Sequence, residues 1–351
     1  MINRKNLVDA GCRLGLVFGL LAMPAIGNPA HALDGDTLYA KPGRYFTASD
    51  GTKLNFYCEG SGSPTVVFDS GEGDWSPSWA TVQPEVSKWT RSCSYDRAGA
   101  GFSQLGPLPT NAKRFAEELH SALENGGIAG PYILVGHAYG SYDVRAFADL
   151  YLQDVAGMVL IDPDERDIET NHDLDDIWRG IDERNRGQLT FCRDAVAAGK
   201  AFPLTPPPDH PGWTRLDYAF RGVPDPRFSP ELNAALVRIM TTRTAMYEAL
   251  LSGVGQRLWE RDYLKAHRRS LGSRPLRVIL APEIASTSRL PSPDRIKFNE
   301  ERQTFGASLV DLSTNAKKIV ADMGAFVQFE KPDIVIDAIR DVYDSAKAGG
   351  E

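Results

Sequence analysis

Residues 132 to 140 read Tyr-Ile-Leu-Val-Gly-His-Ala-Tyr-Gly: an apolar β-type run, two glycines four apart, and then residues that continue as a helix. Glycine has no Cβ, so Gly136 and Gly140 permit a turn so tight that the residue between them projects alone above a sheet. That residue is Ala138, which carries no nucleophilic atom. A strand entering such a turn and a helix leaving it fix the local architecture as strand, turn, helix.

The rest of the chain repeats that alternation. Two strands, Arg44–Ala48 and Lys53–Glu59, surround the Asp50-Gly51 turn and predict a hairpin. Thr65–Asp69 and Arg91–Asp96 follow as strands, with a helix expected over Ser78–Trp89 between them. Thr110 is placed to cap a helix running to Glu124, and a further helix is expected from Gly140 to about Tyr151. Gly157–Ile161, Leu276–Leu280 and Lys317–Ala321 read as strands, and Pro332 to about Ala346 as the last helix. Continuous apolar runs suit strands covered on both faces, and their alternation with helices predicts a doubly wound α/β sheet. Between Pro163 and Ser273 the strand signal stops, and charged helical patterns studded with aromatics such as Phe191, Tyr247 and Trp259 take over. The expected organisation is a core over 33–162 and 274–351 with a helical cap inserted at 163–273.

The first residues carry Arg4, Lys5 and Arg13, followed by an apolar stretch from Leu14 to Ile26 and the small-residue site Ala30-His31-Ala32. This is the pattern of a cleaved secretory signal, 1–32, and the apolar run is short of the ~20 residues a spanning helix needs. The expectation is an exported chain, periplasmic or secreted, with no membrane span after cleavage near Ala32. A net charge of −7 argues against nucleic acid or an anionic membrane as partner. Beyond the signal lie Cys58, Cys93 and Cys192, without C-x-x-C spacing, so an oxidising compartment favours a disulfide over zinc. No metal spacing, phosphate loop or dinucleotide fingerprint is present, and no cofactor is expected.

The Val135-Gly-His-Ala-Tyr-Gly140 turn, the upstream Tyr95-Asp-Arg-Ala-Gly-Ala-Gly-Phe-Ser103, the strand Gly157-Met-Val-Leu-Ile-Asp-Pro163 and the terminal Gly324-Ala-Phe-Val-Gln-Phe-Glu-Lys-Pro332 together resemble the α/β-hydrolase superfamily. The likeness is to a secreted bacterial serine-hydrolase branch, with V-G-H-S-[FY]-G-G at the turn and Gly-His opening the terminal motif. The resemblance puts Ala138 at the nucleophile position and Ala325 at the position of the catalytic histidine. Serine attack needs a base to take its proton, so both departures bear on activity. His137 has a counterpart beside the catalytic histidine in relatives and reads as structural. Asp162 matches a position that supplies the triad acid in some relatives, with Glu283 after the next strand as the other acid position. The oxyanion hole of this fold uses two backbone N–H groups, which by resemblance belong to Glu72 and Tyr139. The same resemblance makes the strands carrying Cys58 and Cys93 antiparallel neighbours, implying a Cys58–Cys93 disulfide with Cys192 free.

Three functions are compatible with this set. The first is a non-hydrolytic pseudoenzyme that binds a small molecule or a partner. The second is an esterase-type serine hydrolase, acting on an ester-like substrate, whose nucleophile and base have been replaced by alanine. The third is a lyase or isomerase that reuses Asp162, Tyr139 or Glu72 as acid or base.

Overall fold

One mixed sheet organises the chain. The computed structural model describes residues 35–163, 172–202, 204–205, 207–209, 224–281, 292–322, 324 and 326–349. All the described residues belong to one unit. A short 3-10 helix, Asp36–Ala40, precedes the hairpin of β1 (Arg44–Thr47) and β2 (Lys53–Glu59), which turns through Gly51 at φ 90°. Then come β3 (Thr65–Asp69), α1 (Gln83–Val86), β4 (Ser92–Asp96), α2 (Ala112–Asn125), β5 (Tyr132–His137), α3 (Gly140–Leu150) and β6 (Val155–Ile161). Four helices follow before the next strand: α4 (His172–Ala197), α5 (Pro230–Thr242), α6 (Ala245–Val254) and α7 (Arg257–Ala266). The chain closes with β7 (Leu276–Leu280), α8 (Ser292–Ser308), β8 (Ala316–Val320), α9 (Val327–Glu330) and α10 (Pro332–Ala348).

The strand order is β1-β2-β4-β3-β5-β6-β7-β8, antiparallel as far as β4 and parallel from there on. Side chains alternate between the two faces of a strand, so each central strand feeds two cores. Val67, Leu134, Leu160 and Val278 pack with Leu119 of α2 and Phe147 of α3. Their neighbours Val66, Ile133, Val159 and Ile279 pack on the other face with Val335 and Ile339 of α10. Burial on both faces is why these strands are mostly apolar, with few polar positions such as Arg277 and Asp69. The chain therefore has the α/β-hydrolase fold. A third apolar cluster joins Leu232, Leu236 and Ile239 of α5, Met246 and Tyr247 of α6, and Tyr39.

Cys58 and Cys93 are register partners on β2 and β4 and form a disulfide, while Cys192 is free and buried in α4. Two local expectations are corrected. Residues Ser78–Trp89 do not form one helix but a 3-10 turn, Ser76–Trp79, and the single turn of α1. Pro84 supplies the reason, since its ring and missing N–H stop a helix from running through. Thr110 is not the cap of α2: Asn111 is, accepting a hydrogen bond from the Arg114 amide at 3.0 Å. The Thr110 hydroxyl instead donates to the Ala249 carbonyl of α6, 2.8 Å away, so a tertiary contact took the residue that local pattern assigned to capping.

Candidate functional site beside the elbow

The turn after β5 has the tightness its glycines imply. A Cβ on Gly136 would lie 2.5 Å from the Gly140 carbonyl oxygen, and one on Gly140 would lie 2.5 Å from that of Asp69. Ala138 between them has φ 46°, a left-handed conformation that costs an L-residue roughly 1–2 kcal/mol. Its amide donates to Ile161 of β6 at 3.0 Å, and its carbonyl accepts from the Ser141 amide as α3 begins. His137 is buried, with its ring centroid 5.6 Å from that of Phe326. It also packs on Gly71, where a Cβ would come within 3.1 Å of His137 Nδ1 and 3.6 Å of Ala138 Cβ. The loop after β3 thus lies directly against the elbow.

That loop and the elbow share a cleft. Glu72, Asp74, Arg97, Phe115 and Tyr139 line it from the sheet side, and Met246, Ala249 and Leu250 of α6 line it from above. Glu72 and Tyr139, assigned to the oxyanion hole by resemblance, are therefore brought together. The open cleft offers about 40 Å³, room for two or three waters.

Arg97 forms the floor of this cleft, and its charge is locked in place. Its Nη1 donates to Asp69 Oδ1 at 2.6 Å, to the Ser70 carbonyl at 2.5 Å and to Asp143 Oδ2 at 3.1 Å; its Nη2 reaches the Gly71 carbonyl. The guanidinium also stands 5.5 Å from the ring centroid of Phe115 and 5.4 Å from that of Tyr139. Burial opposes a charge on Arg97, but Asp69 and Asp143 overcome it and hold its pKa above the ordinary value. Two carboxylates around one guanidinium leave a surplus of negative charge in a dry interior. Burial first, and the Asp69 charge second, push Asp143 well above the usual carboxylate range. Tyr95 donates its hydroxyl to Asp69 at 2.5 Å, completing the network.

Asp162 sits at the end of β6, beside the end of β7. It is buried, its backbone is left-handed at φ 43°, and Oδ1 accepts from the Ala281 amide at 3.3 Å. Ala325 and Glu283 lie outside the described residues. Next to Ala325, the Gly324 amide donates to Glu330 Oε2 at 3.2 Å, and Phe326 touches His137 as described. The loops after β3 and β5, Asp162 and Phe326 thus gather at the carboxyl ends of the parallel strands, where open α/β sheets hold their ligands. Among the described residues no group of three or more His, Cys, Asp or Glu could hold a metal ion.

Sequence reasoning singled out neither Asp69, Asp143 nor Glu260. Arg97 was visible only as part of the Tyr95–Ser103 signature. Glu260 of α7 has no local signal, yet its Oε1 accepts from the Tyr139 hydroxyl and, at 3.0 Å, from the Ala112 amide.

Residues 64–205, from the start of β3 to just past the end of α4, match the family model for the alpha/beta hydrolase fold. An uncharacterized protein of Bacillus subtilis (strain 168), YqjL, is 33% identical over 105 residues, covering 30% of this chain and 42% of that protein. The match thus spans less than half the length of that relative. Among solved structures, a thermophilic esterase from Thermogutta terrifontis with malate bound superposes with a TM-score of 0.56 at 22% identity, over 86% of this chain and 98% of its own. A meta-cleavage product hydrolase from Pseudomonas fluorescens IP01, as a serine-to-alanine mutant complexed with acetates, gives 0.57 at 18% identity, over 87% and 98%. At these identities the structures show the fold.

Proposed function

We propose that this protein is a non-hydrolytic member of the α/β-hydrolase superfamily that binds a small molecule in the cleft beside the elbow. One observation carries the reading: the elbow keeps its strained geometry and adjoining cleft while the residue it presents, Ala138, has a methyl group where a nucleophile would be. Ala325 removes the base as well, and a serine mechanism requires both. Residues 163–273 act as the cap, consistent with α6 supplying one wall of the cleft. The chain is exported after cleavage near Ala32. The Cys58–Cys93 disulfide suits an oxidising compartment, and among the described residues no helix is long and apolar enough to cross a membrane.

Two proteins of the same fold hold small carboxylates, malate and acetates, which makes that class the first to try. Ligand-detected NMR with acetate, malate and hexanoate, each beside its methyl ester, tests the reading. Binding without ester turnover, abolished by Leu250→Trp, is expected. Turnover at the rate of an ordinary esterase, or contact with none of the six compounds, would remove it.

A second reading, a serine hydrolase silenced by alanine at both positions, is favoured by the left-handed backbone of Ala138. An alanine gains nothing from that conformation, whereas a nucleophile is exposed by it.

A further inference from the structure

Glu260 is an acid with no exposed surface, and one of its oxygens serves two distant elements. The hydroxyl of Tyr139, the residue after Ala138 in the elbow, donates to Oε1, and so does the amide of Ala112, the first residue of α2. The first amides of a helix have no intrahelical acceptor and carry the positive end of its dipole, so a carboxylate there satisfies a donor and is itself stabilised. The acid comes from α7, between β6 and β7, whereas both donors belong to the sheet body. Tyr139 is fixed from its other side too, by the Arg97 guanidinium over its ring and by a parallel stack with Tyr142 at 5.8 Å between centroids.

From this geometry we infer that Glu260 is a positioning residue for the cleft. By tying α7 to the elbow side chain and to the start of α2, it sets the orientation of Tyr139, and hence the shape of the wall that Tyr139 and Phe115 present to a ligand. The inference rests on the cleft being the binding site, as proposed above, but its first readout needs no ligand. Amide hydrogen exchange on the whole protein, comparing Glu260→Leu, Glu260→Gln and Tyr139→Phe, separates the possibilities. Glutamine retains an oxygen for both donors and leucine retains none. The expected result is about tenfold faster exchange at residues 112–115 and 139–143 in Glu260→Leu, with protection restored in Glu260→Gln. Tyr139→Phe should loosen 139–143 and leave 112–115 unchanged.

Affinity for whichever carboxylate binds the unaltered protein should fall in Glu260→Leu and Tyr139→Phe, and hold in Glu260→Gln. If Glu260→Leu unfolds throughout, with α10 exchanging as fast as α7, then Tyr139→Phe decides. Unchanged protection at 139–143 in that variant, or a glutamine variant as loose as the leucine one, overturns the positioning role. Absence of binding in the unaltered protein would count against the functional reading and leave the exchange result to judge Glu260.

Discussion

Ala138 and Asp162, at the carboxyl ends of the neighbouring strands β5 and β6, both have left-handed backbone, with φ 46° and 43°. No other non-glycine residue among those described shares it. Strain of this kind persists where surrounding structure imposes it, and it concentrates at functional sites. Ala138→Gly should therefore stabilise the protein, by about 0.5–1 kcal/mol once the added freedom of the unfolded chain is offset. The same change at Ala146, inside α3, should destabilise it by about 1 kcal/mol or more. Urea denaturation of the two variants checks the opposite signs.

Asp36 holds α5 from outside its own segment. Its Oδ2 accepts from the Ser229 amide at 2.7 Å, at the N-terminus of α5, and Tyr39 nearby donates its hydroxyl to Gln83 at 3.0 Å. Asp36→Ala leaves a buried amide without its acceptor and should cost about 1–3 kcal/mol. Exchange should rise first in α5, while α10 on the far side of the sheet keeps its protection.

Glu118 makes the stability pH-dependent. It lies buried on α2, and among the described residues neither carboxylate oxygen has a donor. Burial first, and then the Asp50 charge, push it up to about 8 from an ordinary 4.5; Arg114 pulls the other way, while a hydrogen bond that the protonated acid shares with Asp50, and then Glu117, add to the rise. Because the folded value lies above the unfolded one, the folded state keeps a proton that the unfolded state has lost. Stability from this group is complete below about pH 4.5 and declines as pH rises to about 8, a loss on the order of 5 kcal/mol. Denaturation midpoints between pH 5 and 8 should fall in the unaltered protein and fall less steeply in Glu118→Gln, the buried Asp143 keeping part of the slope. A parallel slope in both would remove Glu118 as the cause.

The Cys58–Cys93 bridge closes a loop with a sequence separation of 35. Constraining such a loop in the unfolded chain is worth about 3–4 kcal/mol on the chain-entropy account. Cys58→Ala with Cys93→Ala should lower the denaturation midpoint accordingly, and Cys192→Ala should leave a single disulfide by mass spectrometry.

Most of the sheet was legible because its strands are buried on both faces, which writes apolar runs such as Tyr132–Val135 and Val278–Leu280 into the sequence. The elbow was legible because only glycine fits at 136 and 140. What stayed hidden depends on partners far along the chain. Glu260 looks like any helical glutamate until Ala112 and Tyr139, more than a hundred residues away, are folded against it. Asp36 likewise acquires its role from Ser229. Thr110 and Asn111 offer equivalent capping groups to a local reading, and only the approach of α6 decides between them.

The most direct measurement is ester hydrolysis by the unaltered protein beside Ala138→Ser, Ala325→His and the double variant, over a range of acyl chain lengths. The account has an intact elbow lacking two side chains, so the unaltered protein and both single variants should show only a residual rate. The double variant should gain at least about a hundredfold in kcat/KM, since triad members act as a unit. An unaltered chain that already hydrolyses esters at about 10⁴ M⁻¹s⁻¹ or more would contradict the non-hydrolytic reading, and a folded double variant that gains nothing would contradict the silenced hydrolase and the intact elbow it needs.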